Sequence, residues 1–407
     1  MTVNPYTPSA GHAPPYLAGR DSEQRDFERL LRQGRILENV VLTGLRGVGK
    51  TVLLDERFKP MAIKAGWLWA GQDLSETASL TEENLATRLV TDLSLAVSGV
   101  TRTMTRVEGA GFAAKEHQIQ TQALSFEILR TVFTETPGLA SDKLKAVLLF
   151  AWEQLQHHER NKLIFAYDDA QNLADHAKRD QFPLSLLLEV FASIQRQGIP
   201  FMLVLAGLPT LFPKLVETRT YAERMFHIIT LSRLNDEESE QAVVKPLEET
   251  NSKIRFTDDS VRMIMKESAG YPYFIQFVCR EVFDIFNQQI ETSGAASSVP
   301  FDAIQQKLDT DFFAGRWAKV SDRQRDLLWL IASLDTAEEF TIQEIVEFSK
   351  TAPLKPFGPS QVNQMLGKLA EQGLVYKNRF GKYLFAVPLL GQFIGRTYQP
   401  TAPTLPS

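Results

Sequence analysis

The chain has 407 residues, 44% of them hydrophobic and 23% charged, so it can bury more than one core and is not intrinsically disordered. Its net charge of -5 does not indicate a nucleic-acid partner overall, although from Lys355 onward there are six basic residues and one acidic residue. No stretch reaches the roughly 20 apolar residues of a membrane helix, and a lone cysteine, Cys279, cannot form an internal disulfide, so we expect a cytoplasmic protein without a membrane partner.

The first half of the chain has the pattern of an α/β sheet. Residues 1–20 are rich in proline and glycine and are expected to form an extended arm before a helix that starts near Asp21. Short apolar runs then predict about five buried parallel strands within residues 21–234. These runs are Val40 to Leu42, Trp67 to Ala70, Leu163 to Tyr167, Phe201 to Ala206 and Ile228 to Leu231. An insertion near residues 100–160 is expected to be helical.

The second half is predominantly helical. Helical spacing over residues 235–315 predicts a small helical domain. Residues 316–398 have the pattern of three helices followed by a β-hairpin, which predicts a winged helix-turn-helix. The last segment, residues 399–407, is expected to be a disordered tail.

One motif binds phosphate in many proteins. The pattern G-x-x-x-x-G-K-[ST] is matched by Gly44, Leu45, Arg46, Gly47, Val48, Gly49, Lys50 and Thr51, between the first predicted strand and a helix that continues with Val52. Glycines let the backbone curl so that its N–H groups point at phosphate oxygens. We expect Lys50 to reach the β- and γ-phosphates of ATP and Thr51 to place its hydroxyl on Mg²⁺. Arg46 either adds charge over the phosphates or is simply an exposed loop residue.

A second strand ends in the carboxylates that such a loop requires. The apolar run Leu163 to Tyr167 is followed by Asp168 and Asp169. Asp168 is the expected partner of the magnesium ion, and Asp169 is placed where a carboxylate would polarise the attacking water. An aspartate pair at this point could alternatively cap the helix that follows.

These motifs resemble those of the AAA+ ATPases, in particular the branch that contains archaeal and eukaryotic replication initiators, and the resemblance covers most of the chain. It implies an α/β P-loop NTPase with a parallel sheet, a helical lid and a C-terminal winged helix. It also implies that Gly19 and Arg20 lie near adenine, and that Arg224 is an arginine finger for a neighbouring subunit's ATP. Tyr271 and Pro272 would begin the helix that senses nucleotide from the lid.

Three departures from this family predict a slow switch and not a fast motor. Asp169 replaces the usual glutamate and is one methylene shorter. The fourth strand ends in Ala206 and Gly207 without a polar residue, and Thr210 is the nearest hydroxyl. No arginine follows Gly270 at the usual sensing position, and Arg280 lies about three turns further along that helix.

The winged helix suggests the partner. Asn363, Gln364 and Lys368 on the presumed recognition helix, with Arg379 and Lys382 in the wing, could contact double-stranded DNA. The same residues also suit a solvated surface or a wing that docks a protein. We therefore expect an ATPase switch that binds DNA and assembles with itself or with a partner protein. A signalling or scaffold ATPase and a hydrolytically inactive module are the alternatives. The histidines show no ligand spacing, so no metal besides Mg²⁺ is indicated.

Overall fold

The structure, a computed structural model, describes residues 3–9, 12–108, 115–293, 299–334, 339–378 and 381–400. The chain divides into two compact units. The sheet unit comprises Arg20–Gly44 and Lys50–Thr230, and the C-terminal unit comprises Met1–Gly19, Leu45–Gly49 and Leu231–Ser407. The unit boundaries near residues 19 and 231 lie close to the domain limits expected from the sequence, at residues 20 and 234.

The first sixteen helices and strands alternate in the manner of an α/β fold. In chain order they are α1 (Asp21–Leu31), β1 (Asn39–Gly44), α2 (Lys50–Leu53), α3 (Lys59–Lys64), β2 (Trp67–Ala70), α4 (Glu82–Ala96), β3 (Thr101–Glu108), β4 (Lys115–Ala123), α5 (Phe126–Glu135), α6 (Ala140–Leu155), β5 (Lys162–Tyr167), α7 (Pro183–Arg196), β6 (Phe201–Gly207), α8 (Leu211–Thr218), α9 (Ala222–Met225) and β7 (Phe226–Leu231). A π-helical turn, Leu54–Phe58, joins α2 to α3.

The main sheet has five strands in the order β2-β5-β6-β1-β7, and all five are strands that the sequence predicts. The pairings of β2 with β5, β5 with β6 and β6 with β1 are parallel, with Thr43 opposite Gly207. Every residue of β1 and of β6 is buried, as expected when helices cover both faces of a parallel sheet. Because parallel strands end at the same edge, the carboxyl ends of β1, β5 and β6 come together there.

The insertion is not helical throughout, contrary to the expectation for residues 100–160. It begins with a two-stranded antiparallel ribbon of β3 and β4, in which Thr101 lies opposite Ala123, and helices follow only from α5 onward. The sequence of β3 alternates threonines with other residues, and β-branched residues favour strands over helices. The polarity of this stretch had concealed the alternation.

The remaining elements are mostly helices. They are α10 (Asp236–Glu249), α11 (Asp258–Ser268), α12 (Pro272–Ser293), α13 (Phe301–Leu308), α14 (Gly315–Trp317), α15 (Asp322–Ser333), β8 (Phe340–Thr341), α16 (Ile342–Ser349), α17 (Pro359–Glu371), β9 (Val375–Lys377), β10 (Lys382–Phe385) and α18 (Leu390–Thr397). Helices α10 to α13 form the helical lid. Helices α15 to α17 with the antiparallel sheet β8-β10-β9 form the winged helix.

The lid and the winged helix share one hydrophobic core, although the sequence suggested separate domains that meet at residues 315 and 316. The ring of Phe313 stacks on Phe393 of α18 at 4.9 Å and lies 6.1 Å from Phe274 of α12. The arm contributes Tyr6 to the same core. Cys279 is buried there, as its aromatic neighbours in the sequence predicted. Arg379 and the end of the expected tail, residues 401–407, lie outside the described residues.

Candidate functional site

The loop between β1 and α2 is curled around two glycines with positive φ. Gly47 has φ of 77° and Gly49 has φ of 93°. A Cβ on Gly47 would lie 2.8 Å from the Cβ of Tyr273, and the Gly47 carbonyl accepts a hydrogen bond of 3.1 Å from the Tyr273 N–H. Position 47 therefore requires glycine for its backbone conformation and for its space. The Lys50 ammonium reaches back to the Gly44 carbonyl, 2.9 Å away.

The other loop residues have different environments. Val48 is 1% exposed and anchors the loop, whereas Arg46 is exposed. Leu45 and Val52 are partly buried. The loop thus fixes its apolar residues and leaves the Arg46 side chain at the surface.

Thr51 and Asp168 meet as the sequence predicted, although 117 residues separate them. The Thr51 hydroxyl donates a hydrogen bond to Oδ2 of Asp168. The carboxylate is 6% exposed, and its Oδ1 accepts the Asp169 N–H at 2.8 Å. The backbone of Asp168 is fixed by bonds to Gln72 and Leu74. A hydroxyl beside a fixed carboxylate is a suitable pair of oxygens for Mg²⁺.

Further negative charge surrounds this pair. Burial raises the pKa of Asp55, and the nearby Asp168 and Asp73 raise it further, although Lys59 opposes them. A divalent cation would relieve this repulsion, so the residues fit Mg²⁺. No group of three or more histidine, cysteine or acidic ligands occurs in the described part of the chain. Mg²⁺ does not need such a group, because it retains several waters and uses phosphate oxygens.

Asp169 is exposed and has a left-handed backbone, with φ of 52°. Its Oδ1 accepts a hydrogen bond of 2.8 Å from Nε2 of Gln171. Oε1 of Gln171 accepts the N–H of Leu208, just after β6, at 3.1 Å. Gln171 therefore connects Asp169 to the end of the neighbouring strand.

The side chain of Gln171 occupies the space beside Gly207 at the end of β6. A Cβ on Gly207 would lie only 2.7 Å from Oε1 of Gln171. The amide of Gln171 thus lies against the strand end where the family usually has a polar side chain. Thr210 occupies the N-cap position of α8, and its side chain makes no capping hydrogen bond.

Lys214 is a residue that the sequence analysis missed. Its ammonium donates to the carbonyls of Gln171 at 2.7 Å and Leu173 at 2.9 Å. Burial lowers the pKa of Lys214, and Glu217 partly opposes that shift. Lys214 therefore stabilises the turn that follows Asp169 by hydrogen-bonding two of its backbone carbonyls. A lysine in an amphipathic helix carries no sequence signal for such a role.

The structure describes each of the residues carried over from the family. Gly19 and Arg20 both have positive φ, at 65° and 73°, and Arg20 is 7% exposed and paired with Glu23 at 3.5 Å. Tyr271 precedes α12, which begins at Pro272. Arg224 is exposed on α9, and no ion pair is found for it among the residues that the structure describes.

The sequence analysis also noted Arg280 and predicted a set of residues that contact DNA. Arg280 lies seven residues beyond Tyr273 on α12, about 10 Å along the helix, and its carbonyl accepts the amide of Asn4 at 3.0 Å. Asn363, Gln364 and Lys368 are exposed on α17, as expected. In the wing, the Lys382 ammonium is paired with Glu339 at 3.2 Å, and its side chain remains 49% exposed.

Comparison with known proteins shows which domain family and which folds the chain is similar to. Residues 16–208 match the family described as "AAA ATPase domain", and residues 310–394 match a "Domain of unknown function (DUF8462)". The fold is similar to that of the Walker-type ATPase PABY2304 of Pyrococcus abyssi, with 15% identity, TM-score 0.57, and coverage of 93% of this chain and 96% of that chain. It is also similar to the ORC2 protein of Aeropyrum pernix, solved as ADPNP-ADP complexes, with 16% identity, TM-score 0.53 and 96% coverage of each chain. No curated protein matches significantly in sequence.

The chain therefore carries an AAA ATPase domain over residues 16–208. Its fold, with a parallel sheet, a helical lid and a C-terminal winged helix, is similar to the folds of these two solved structures. This confirms the fold class and the resemblance of residues 16–208 to AAA ATPases that the sequence motifs predicted. None of the helices described is both long and apolar enough to cross a membrane.

Proposed function

We propose that this protein is an ATP-dependent switch that hydrolyses ATP slowly and binds DNA through its winged helix. The observation that carries the ATPase part is the hydrogen bond between the Thr51 hydroxyl and the Asp168 carboxylate, adjoining a glycine loop that holds Lys50. An AAA ATPase domain over this region supports the same conclusion.

The residues divide the chemistry between them. The loop amides and Lys50 would bind the phosphates, and Thr51 with Asp168 would hold Mg²⁺, which would supply positive charge beside the phosphate oxygens. Asp169 orients the attacking water and accepts its proton. One of its oxygens is already bonded to Gln171, and its side chain is a methylene shorter than glutamate, so its reach is limited. Slow hydrolysis is the expected consequence.

Phosphate release from ATP by the wild type, Lys50→Ala and Asp169→Asn tests this proposal. We expect Lys50→Ala to lose nucleotide affinity, because the cation that binds the β- and γ-phosphates is gone. Asp169→Asn should keep its affinity for nucleotide and hydrolyse about 100-fold more slowly, since the general base is gone.

Asp180→Asn is the matched control for Asp169→Asn. Asp180 is also an exposed aspartate with φ of 52°, and asparagine tolerates that conformation. It should hydrolyse ATP at the wild-type rate. Equal background rates in the wild type, Lys50→Ala and Asp169→Asn would end the ATPase proposal and favour an inactive nucleotide-binding module.

The DNA part of the proposal rests on the exposed face of α17. Asn363, Gln364 and Lys368 share that face, and Lys355 and Lys377 are exposed in the same winged helix. Amides can read base edges, and lysines can neutralise backbone phosphates. The DNA contacts of this protein would be made there.

Salt-dependent titration of a labelled duplex tests DNA binding. Lys368→Ala should weaken binding similarly for all sequences and reduce the slope of log affinity against log salt by about 1. Lys382→Ala is the control, and we expect a smaller effect because that lysine is already paired with Glu339. Binding without any salt dependence, or no binding, would instead favour the scaffold ATPase whose wing docks a protein.

The last part of the proposal concerns oligomer formation, in which Arg224 acts on the ATP of another subunit. Its guanidinium is exposed on a short helix after β6, which suits a cation that reaches the ATP of another subunit. A homo-oligomer or a complex with a related ATPase would then be the active form.

A further inference from the structure

Lys214 is a partly buried cation on α8 to which the proposed reaction gives no role. Its ammonium donates to two backbone carbonyls, those of Gln171 at 2.7 Å and Leu173 at 2.9 Å. Burial lowers the pKa of Lys214, which reflects the cost of keeping a charge away from water. An apolar side chain of similar length would fill the same space without that cost. The ammonium therefore contributes what packing alone does not, namely the two hydrogen bonds to the carbonyls.

The two carbonyls belong to the turn that follows β5 and begins at Asp169. Asp169 has φ of 52°, a conformation that residues other than glycine seldom adopt. Its carbonyl accepts the N–H of Asn172 at 3.0 Å, and the carbonyl of Ala170 accepts the N–H of Leu173 at 3.1 Å. These are the bonds of a single 3₁₀ turn, and Lys214 bonds carbonyls at its C-terminal end. A cation at the carbonyl end of a helical turn stabilises that turn.

The orientation of Asp169 depends on this turn, because the Asp169 side chain is exposed. Its Oδ1 accepts from Nε2 of Gln171 at 2.8 Å, and Oε1 of Gln171 accepts the N–H of Leu208 at 3.1 Å. The Gln171 side chain can make both bonds only while its own backbone stays in this place beside β6. Lys214 holds that backbone by its bond to the Gln171 carbonyl. The same glutamine is thus fixed at its carbonyl and directs the carboxylate with its amide.

We propose that Lys214 is a positioning residue for the hydrolysis of ATP: by fixing the turn it keeps Gln171 in place, and so orients Asp169 toward the attacking water. The inference rests on the ATPase function proposed above. Lys214 acts through Gln171 and not on the substrate, so its loss should slow the chemical step and leave nucleotide binding intact. A residue that only supports the fold would affect both.

Two measurements on the full chain test the proposal, phosphate release at saturating ATP and calorimetric titration with magnesium and the non-hydrolysable analogue AMP-PNP. Lys214→Met should lower the rate about 10-fold, because the turn loses both bonds while the aliphatic length is kept. It should bind AMP-PNP within about twofold of the wild type. Lys214→Arg should recover the rate to within about threefold of the wild type, because it restores a cationic donor to the carbonyls.

The double variant Gln171→Ala with Lys214→Met shows whether the lysine acts through the glutamine. If it does, the double variant should be no more than about twofold slower than Gln171→Ala alone, since the lysine then has no amide to position. Two independent effects would instead multiply to about 100-fold, and that result would overturn the inference.

Lys162→Met is the matched control. Lys162 is also a partly buried lysine of the sheet unit, and it donates to a backbone carbonyl, that of Gln33, at 3.3 Å. It lies at the start of β5, at the opposite end from Asp168, and its replacement should leave rate and affinity unchanged. A wild-type rate in Lys214→Met, or a parallel loss of rate and affinity, would overturn the positioning role. A wild type that neither binds nor hydrolyses ATP would refute the proposed ATPase function, and this inference with it.

Discussion

Gln171 is the residue that orients Asp169, the carboxylate proposed to act as the general base. Its amide bonds Asp169 on one side and the N–H of Leu208 on the other, and its backbone carbonyl accepts from Lys214. Gln171→Ala should reduce the rate of phosphate release by about 10-fold or more, because Asp169 loses the group that orients it. The affinity for ATP should stay within about twofold, since the phosphate loop is untouched. Rapid phosphate-release kinetics and calorimetric titration measure the two effects separately.

The control for this prediction is Gln197→Ala. That glutamine is exposed and its side chain bonds only a carbonyl of its own helix, at 3.4 Å. It should leave both quantities unchanged. If Gln171→Ala lost ATP affinity and rate together, the residue would be a general support for the fold and not a positioning residue.

Local patterns predicted part of this site and could not predict the rest. The phosphate loop is contiguous, and a strand that ends in acidic residues is also a local signal, so Thr51 and Asp168 were foreseeable. The bond from Gln171 to Leu208 depends on which strands are neighbours and in which register, across 37 residues. Likewise, the bonds from Lys214 to the carbonyls of Gln171 and Leu173 span 43 and 41 residues. No sequence spacing encodes such contacts.

At the scale of elements, hydrogen bonds from the Asn39 side chain connect strand β1 to β6, α7 and α9. The side chain is 1% exposed. Its Oδ1 accepts from Leu203 of β6 and from Gln195 of α7, both at 2.8 Å, and its amide donates to the Met225 carbonyl of α9 at 3.2 Å. Asn39→Ala would leave these buried groups without partners. We expect it to lower the free energy of unfolding by about 2–4 kcal/mol, measured by urea denaturation.

Asn161→Ala is the comparison, because its amide makes one bond of 3.4 Å to a carbonyl near the surface. Its effect should stay within about 0.5 kcal/mol. A similar unfolding midpoint for both variants would show that the hydrogen bonds of Asn39 do not stabilise the fold. Elements like β1 and β6 were predictable because burial on both faces gives unbroken apolar runs. The ribbon of β3 and β4 was not, because its polar sequence resembles a loop.

For the whole molecule, the N-terminal arm is an integral part of the C-terminal unit and not a loose connector. Tyr6 is 2% exposed, its ring lies 5.8 Å from Phe256 and 6.4 Å from Phe283, and its hydroxyl donates to the Val243 carbonyl. The amide of Asn4 donates to Asp284 on α12 at 2.8 Å. The arm therefore joins residues more than 230 positions apart in the sequence.

Tyr6 also covers Cys279, whose thiol has its pKa raised by burial and is therefore unreactive. Tyr6→Ala should open a cavity that costs about 3–5 kcal/mol in this unit and admits reagents to the thiol. Because the chain has one cysteine, the rate of its reaction with a disulfide reagent reports this event alone. We expect the rate to rise at least about 10-fold in Tyr6→Ala, since more frequent local opening exposes the thiol.

Val3→Ala provides the control within the same arm, because Val3 is 85% exposed, and it should leave the rate unchanged. Tyr6→Phe keeps the ring and removes only the bond to Val243, so its rate should lie between those of the wild type and Tyr6→Ala. A thiol that reacts equally slowly in all four proteins would mean that the lid core closes without the arm. In that case the arm would be free to act elsewhere, and deletion of residues 1–8 would leave the melting temperature unchanged.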